Sequence, residues 1–237
     1  MTAVGRAERE ERVENESFTD RLNWLRAGVL GANDGIVSTA GIVVGVAGAT
    51  AQESTLLLAG LSGLLAGSLS MAAGEYVSVS TQRDTEQAFL ATERRELADD
   101  PEAELDELTQ AYLDKGLSPE VARQVAVELT ARDALAAHAA TEANVDPYQL
   151  TSPWQAAVAS FVAFTVGALL PLLAIVLPPP SVRVWITVLS VVVGLVICGW
   201  TSARLGNAPP GRAVVRNVAG GLLAMAITYA AGSLIGA

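Results

Sequence analysis

The sequence predicts an all-α membrane protein with five transmembrane helices and a three-helix insert between the second and the third. Hydrophobic residues make up 51% of the 237-residue chain and gather in five segments long enough to cross a bilayer. A strongly acidic stretch separates the second segment from the third, and residues 84–142 hold fifteen Asp/Glu but only five Lys/Arg. The rest of the chain is balanced, so this stretch carries the whole net charge of −10.

These segments divide the chain into four parts. Residues 1–20 are predicted to form a charged tail or helix, and residues 21–82 to form the first two transmembrane helices. Residues 83–146 are the acidic insert, and residues 147–237 form the last three transmembrane helices. The apolar runs lie at about 24–49, 56–80, 154–177, 184–203 and 213–236. Proline and glycine clusters at 178–180 and 207–211 separate the last three.

The first apolar segment contains an aspartate, Asp34, within the stretch GVLGANDGIVSTAGIVV at 28–44. A carboxylate at the centre of a membrane helix costs about 2.5–3.5 kcal/mol on insertion scales, so it usually faces a pathway or a partner. Asp34 is therefore a candidate translocation residue. The alternative is that Asp34 only pairs with an arginine inside the helix bundle.

The second apolar segment ends in a possible metal-binding face. Met71, Glu75 and Ser78 recur at i, i+4 and i+7, so a thioether, a carboxylate and a hydroxyl share one side of the helix. Soft and borderline divalent ions accept such ligands. Met71 could instead be packing filler, but Glu75 is a second costly carboxylate within the membrane. Met71 and Glu75 are therefore predicted to belong to the same pathway as Asp34.

The insert is predicted to form three helices with acids turned inward. The second transmembrane helix continues to about Ala98, and Asp100-Pro101 and Ser118-Pro119 start helices at 101–114 and 119–143. Glu128, Leu135 and Glu142 follow a seven-residue spacing on the last helix. The candidate metal ligands are the two Glu-x-x-Glu pairs and the His-x-x-x-Glu pair, namely Glu93, Glu96, Glu104, Glu107, His138 and Glu142.

Carboxylate and imidazole ligands from bundled helices suit Fe²⁺, Mn²⁺ and similar ions. The alternative is that these acids are only a solvated charged face, which is common on acidic helices. The single Cys198 excludes a disulfide framework and a cysteine-based metal site. The acidic balance argues against nucleic acid as a partner and favours cations.

The arginines predict the orientation of the chain in its membrane. Most of those near the ends of the apolar segments fall on one side, which are Arg21, Arg26, Arg83, Arg204, Arg212 and Arg216. Arg183 alone lies near the other side. The positive-inside rule therefore places the N-terminus and the insert in the cytoplasm. The protein is expected to be a multi-pass integral membrane protein, in the plasma (inner) membrane if the cell is bacterial.

Two motifs, NWLRAGVLGANDGIVSTAGIVVGVAGA at 23–49 and MAAGEYVSVSTQRDTE at 71–86, resemble the vacuolar iron transporter family, in a bacterial-type form. The resemblance covers most of residues 20–236. It implies a homodimer with five transmembrane helices per protomer and a cytoplasmic metal-binding domain between the second and third. It also implies that Asp34 and Met71 line the pathway at the dimer interface, with Glu75 in the same motif. Where plant-like members have adjacent methionines, this chain has His138 and Ala139.

The predicted function is export of divalent metal, Fe²⁺ and also Mn²⁺, from the cytosol in exchange for protons. The resemblance implies a transporter and not an enzyme, with metal ions and protons as its partners besides the lipid bilayer, and with no organic cofactor. The alternative from another class is a membrane-anchored di-iron ferroxidase or an iron-storage protein, because helical bundles also build di-iron sites. The insert lacks the Glu-x-x-His pair that such sites use.

Overall fold

The computed structural model describes residues 28–236, which form helices and loops without a strand among them. Five of the described helices are long and apolar enough to cross a membrane. They are α1 (Gly28–Ala49), α2 (Glu53–Asp99), α5 (Pro153–Val176), α6 (Arg183–Leu205) and α7 (Pro210–Gly236). The prediction of an all-helical protein with five helices of spanning length is confirmed. The charged tail expected at 1–20, like Arg21 and Arg26, lies outside the described residues.

Two further helices and a short π-helix lie between α2 and α5. They are α3 (Pro101–Asp114), α4 (Pro119–His138) and the π-helix Ala139–Ala143. The described chain forms two compact units. The transmembrane unit contains residues 28–76 and 154–236, and the second unit contains residues 77–153. Helix α2 runs without interruption for 47 residues and contributes to both units. Its apolar part ends near residue 80, well before its acidic end.

The transmembrane unit is built around α1. This helix buries Ile36, Ala40 and Val43 at helical spacing, and they pack in one cluster with Leu195 of α6 and Met225 of α7. Glycines let neighbouring backbones approach α1 closely, as small residues commonly do in membrane helix packing. A Cβ atom on Gly167 of α5 would overlap the carbonyl oxygen of Ala32, and one on Gly232 of α7 would overlap that of Gly45.

The second unit begins its helices where local chemistry predicts. The Asp100 side chain accepts a hydrogen bond from the backbone N–H of Ala103 at 3.1 Å, which caps α3 one residue before Pro101. Gly116, at φ +93°, follows the end of α3 in a conformation that glycine adopts without strain. Leu108 of α3 and Ala122 and Ala126 of α4 are fully buried where the two helices pack together.

Helix α4 is not the single regular helix that the sequence predicted. Its backbone is extended at Asp133, with φ −168° and ψ 93°, and residues 139–143 form a π-helix. The break exists because the Asp133 side chain accepts a hydrogen bond from Ala136 N–H at 3.0 Å and so starts a new helical segment. The expected seven-residue stripe of Glu128, Leu135 and Glu142 is therefore wrong, and Glu128 lies exposed on the surface.

Candidate metal centre

Three ionisable side chains from three different helices converge inside the second unit. They are Glu93 near the end of α2, Glu104 in the first turns of α3 and His138 at the end of α4. One ligand atom from each lies within 4.8 Å of the other two, and all three residues are buried. Glu93 is 3% exposed, Glu104 8% and His138 0%, although charged groups are seldom buried without a partner.

The distances place the imidazole among carboxylates. His138 Nδ1 lies 2.7 Å from Glu142 Oε1, 3.1 Å from Glu93 Oε1 and 3.6 Å from Glu104 Oε2. Only the contact with Glu142 is a hydrogen bond. Glu93 Oε1 and His138 Nε2 are buried without a hydrogen-bond partner. Since an unsatisfied buried polar atom costs about 1–3 kcal/mol, the cluster is incomplete as a hydrogen-bonded network and suited to a cation.

Burial and mutual repulsion change the acidity of these carboxyl groups. The pKa of Glu93 rises from its usual 4.5 to about 7, mainly because burial disfavours the charged form and also because Glu142 is nearby. His138 opposes that rise. Burial likewise raises the pKa of Glu104, again opposed by His138. Both groups therefore hold a proton more readily than an exposed glutamate does, and a bound cation would have to displace it.

The remaining predicted ligands surround this cluster without joining its buried core. Glu96 and Glu107 are exposed. Their charges are nevertheless close, because Glu96 helps to raise the pKa of both Glu93 and Glu104, and Glu107 that of Glu104. The side chain of Glu142 is 27% exposed and lies at the edge of the cluster. Of the six predicted ligands, Glu93, Glu104 and His138 are therefore buried together, and the other three are more exposed.

The ligand set determines which ions the cluster suits. Three carboxylates and one imidazole are hard to borderline ligands that match Fe²⁺, Mn²⁺ and Zn²⁺, and no thiolate or thioether is among them. Because the carboxylates bring up to three negative charges and the imidazole none when neutral, a divalent ion would neutralise most of the buried charge.

The structure also describes the three predicted pathway residues of the transmembrane unit. Asp34 is exposed on α1, while Met71 and Glu75 of α2 are half-buried. Met71 packs beside the buried cluster around Phe164, and its methyl group reaches the side of α1 that carries Gly31. Met71 is therefore in part a packing residue, as the alternative interpretation had it, and the residue that its methyl group meets on α1, Gly31, precedes Asp34 by three positions.

Within the part of the chain that the structure describes, the polar neighbours of Asp34 do not include a basic side chain. Among residues 28–236, no arginine or lysine forms an ion pair with Asp34. The Ser38 hydroxyl donates a hydrogen bond of 2.7 Å to the backbone carbonyl of Asp34 and not to its carboxylate. Asn217 of α7 donates to the side-chain oxygen of Asn33 at 3.1 Å. Such a bond between polar side chains of two helices is typical of helix packing in membranes.

Comparison with known proteins assigns the chain to a family. A sequence profile described as the VIT family matches residues 25–233. The chain belongs to the VIT family. A protein named vacuolar iron transporter from Acanthamoeba castellanii is 41% identical over 229 residues, which cover 93% of this chain and 82% of that protein. Vacuolar iron transporter homolog 4 from Arabidopsis thaliana is 36% identical, with 92% and 87% covered, and homolog 2 from the same plant is 35% identical, with 94% and 92% covered.

Membership of the VIT family confirms the resemblance seen in the two motifs, and with it a role in metal transport across a membrane. VIT-family members are transporters and not enzymes, so the family excludes the ferroxidase alternative. The residue patterns did not single out Asp133 and Tyr148, which flank the segment that carries His138 and Glu142. The Tyr148 hydroxyl donates to Asp133 Oδ2 at 2.7 Å, across fifteen residues. Only the proline and asparagine that precede Tyr148 in the sequence marked this region, as a loop.

Proposed function

We propose that this VIT-family chain exports Fe²⁺, and also Mn²⁺, from the cytosol in exchange for protons. The observation that carries the proposal is the buried cluster of Glu93, Glu104 and His138, with Glu142 at its edge. The names of the relatives indicate iron as the transported ion, since they are called vacuolar iron transporters or homologs of them. The ligand types supply the extension to Mn²⁺, which prefers oxygen and imidazole ligands as Fe²⁺ does.

In this proposal residues 83–146 are a cytoplasmic metal-binding domain. The exposed acids Glu96 and Glu107 raise the local concentration of cations around the domain, because a dense negative surface attracts them. Glu93, Glu104, His138 and Glu142 then bind the ion. The cytoplasmic side follows from the arginines, since Arg204 ends α6 and Arg212 and Arg216 begin α7. The membrane is the plasma (inner) membrane if the cell is bacterial.

Asp34, Met71 and Glu75 form the proposed pathway through the membrane. An exposed aspartate on a spanning helix would face lipid in a lone protomer, at a cost of about 2.5–3.5 kcal/mol. A second copy of the chain that covers this side of α1 removes that cost and lines a polar path between the protomers. The exposure of Asp34 therefore supports a homodimer with Asp34 and Met71 at its interface.

Proton exchange uses the same groups that bind the metal. A carboxylate must lose its proton to bind an ion, and it can take up a proton when the ion leaves. Glu75 is the proposed proton relay in the membrane, because it is the second acid in the apolar part of the chain and lies on the helix face that carries Met71.

Transport into liposomes tests the proposal directly. Purified protein is reconstituted in vesicles that contain a metal-sensitive dye, and Mn²⁺ or anaerobic Fe²⁺ is added outside. We expect uptake when the vesicle interior is acidic and little uptake when a protonophore has removed the gradient. Uptake that does not respond to the gradient would rule out proton exchange, and the absence of uptake for both ions would rule out the function.

Two variants distinguish a specific role of Asp34 in transport from a general effect of removing a negative charge. Asp34→Asn keeps the shape of the side chain and removes its charge, so we expect transport to fall to background while the dimer remains folded. Glu53→Gln is the matched control, because Glu53 is an exposed acid in the first turn of α2. Equal transport by the two variants would withdraw Asp34 from the pathway.

A second pair of variants tests the metal-binding domain. Glu93→Gln combined with Glu104→Gln removes two buried charges, whereas Glu102→Gln combined with Glu120→Gln removes two exposed ones. Calorimetry of the full-length protein with Mn²⁺ should show loss of binding only for the first pair. If both pairs bind like the wild type, the acids are a charged surface and the domain does not collect metal.

A further inference from the structure

We propose that Asp133 and Tyr148 form a clasp that positions His138 in the metal-binding cluster. This inference rests on the proposed metal-binding role of the cluster, and it assigns a task to two residues outside that cluster. Asp133 breaks α4 five residues before His138, and Tyr148 follows six residues after Glu142. The hydrogen bond between them closes a segment that contains both ligands supplied by this part of the chain.

Helix geometry shows why a break is needed. Helix α4 buries Ala122 and Ala126, each with 0% exposure, so these residues mark its inward face. In an unbroken α-helix His138 would lie about 160° around from Ala122 and about 120° around from Ala126. It would then point away from the side that packs inward. In the structure His138 and Ala139 are instead fully buried, and the non-helical backbone at Asp133 changes the helical phase between Ala126 and His138.

Asp133 supplies that change of phase. Its extended backbone interrupts the helix, and its Oδ1 accepts the N–H of Ala136, three residues on, as an N-cap residue does. A new helical turn therefore starts at Ala134 with its own orientation. The π-helix at 139–143 follows immediately, and π-bulges are frequent at functional sites. Asn144, at φ +52°, ends it, and Val145 N–H bonds to the Ala139 carbonyl at 2.9 Å.

Tyr148 holds the second oxygen of the same carboxylate. Its hydroxyl donates to Asp133 Oδ2 at 2.7 Å, and its backbone N–H donates to Asp146 Oδ1 at 2.8 Å. Tyr148 is 70% exposed, so burial does not explain its position. Both oxygens of Asp133 are thus bonded, one to the helical turn that carries His138 and one to the loop that follows Glu142. Asp133 and Tyr148 are positioning residues, since neither belongs to the buried ligand set.

The test uses Mn²⁺ and a signal that only one side chain can produce. His138 is the only histidine in the sequence, so a protein purified without a histidine tag has one imidazole. Pulsed electron paramagnetic resonance detects ¹⁴N modulation when an imidazole nitrogen binds Mn²⁺. We expect the modulation in full-length wild-type protein and its loss in Asp133→Ala, with affinity reduced about tenfold, as for other groups that orient a metal ligand. Tyr148→Phe should weaken the affinity roughly threefold, the effect of one exposed hydrogen bond.

Rescue and a double variant separate positioning from general damage. Asp133→Asn can still accept the Ala136 N–H and can donate to the Tyr148 oxygen, so the nitrogen signal should persist. In a His138→Ala background, Asp133→Ala should have no further effect on affinity, because its action passes through the missing side chain. Asp106→Ala and Tyr112→Phe are the matched controls, and both should retain the signal. Asp106 pairs with Arg123 on the exposed surface, and the Tyr112 ring lies under the Lys115 ammonium.

Each possible result of these experiments either supports or contradicts the proposed clasp. If Asp133→Ala keeps the nitrogen signal and the wild-type affinity, or lowers affinity equally with and without His138, the clasp is wrong. If Asp133→Ala fails to fold, Tyr148→Phe carries the decision, because unchanged affinity in that variant contradicts the clasp. A wild type whose Mn²⁺ binding ignores Glu93 and Glu104 would overturn the proposed function itself. A wild type that binds through those acids, with clasp variants that behave identically, would overturn only the clasp.

Discussion

Replacing Glu93 by glutamine should make the metal-free second unit more stable at neutral and alkaline pH. The pKa of this buried carboxyl rises from 4.5 to about 7 in the folded protein. At 1.36 kcal/mol for each pKa unit, that rise corresponds to about 3 kcal/mol, taken as an order of magnitude. Glutamine keeps the shape and polarity of the side chain but has no charge to bury.

The sign follows from comparing the folded and unfolded chains. Below pH 4.5 Glu93 is protonated in both states, so burial of the carboxyl carries no charge penalty. Between pH 4.5 and about 7 the unfolded chain loses the proton while the folded chain keeps it, and stability falls as the pH rises. Above about pH 7 the folded group ionises as well, and the full penalty of about 3 kcal/mol is present. Bound Mn²⁺ should remove that penalty, because it pairs with the buried charge.

Hydrogen exchange of the full-length protein in detergent measures this effect locally. Peptides from the end of α2 and from residues 134–146 report the opening free energy of the second unit after correction for intrinsic exchange. In the wild type this free energy should fall between pH 5 and pH 8 by up to about 3 kcal/mol. It should fall much less in Glu93→Gln. The control is Glu128→Gln, which neutralises an exposed acid of α4. Identical pH profiles for wild type and Glu93→Gln would refute the assignment of the penalty to this carboxyl.

Three further predictions address other parts of the molecule. Gly232→Ala places a Cβ atom on the carbonyl oxygen of Gly45 and should destabilise the transmembrane unit by about 1–3 kcal/mol or more. Gly220→Ala, the control, places its Cβ atom in open space and should not destabilise the unit. Thermal unfolding in detergent compares the two variants. Met71→Leu preserves volume but removes the sulfur, so liposome assays should show a larger loss for Fe²⁺ than for Mn²⁺, and equal losses would indicate packing alone. Hydrogen bonds from Tyr148 and Ala136 lower the pKa of Asp133. The ionised Asp133 carboxylate should therefore stabilise the fold above the usual pKa near 3.8, and this stabilisation should disappear as the pH falls through the lowered value. Hydrogen exchange of residues 134–146 in acid measures the loss.

Helix limits were predictable from sequence where local chemistry sets them. Asp100 and Pro101 start α3 through a cap and a proline that need no tertiary contact, and Gly116 follows its end for the same kind of reason. The five apolar segments were predictable because a spanning helix must be long and continuous. By contrast, the break at Asp133 lies within ARDALAAH, whose alanines and leucine favour an unbroken helix.

The candidate site was predictable only in part. Glutamates three apart lie about 60° from each other around a helix, so one member of each pair can be buried while the other reaches solvent. Glu93 and Glu104 are the buried members, and Glu96 and Glu107 the exposed ones, a choice that depends on where neighbouring helices lie. The position of His138 depends on Asp133, whose partner Tyr148 is fifteen residues away. Periodicity cannot show such a contact, because it assumes that the helix continues.

The way α1 meets its neighbours indicates which parts of the transmembrane unit can move during transport. At Gly167 of α5 and Gly232 of α7 the backbone of α1 is in direct contact with the neighbouring backbone. No side chains lie between the helices at these points, so a change of side-chain rotamer cannot accommodate a shift of α5 or α7 along α1. Against α2 the contacts differ, because Gly63 of α2 meets the tip of the Ile42 side chain and Gly60 of α2 meets the side chain of Val43. Side-chain ends can change rotamer, whereas a packed backbone cannot. We therefore expect α1, α5 and α7 to act as a rigid frame, and α2, which carries Met71 and Glu75, to be the helix that shifts when the path opens to the opposite side.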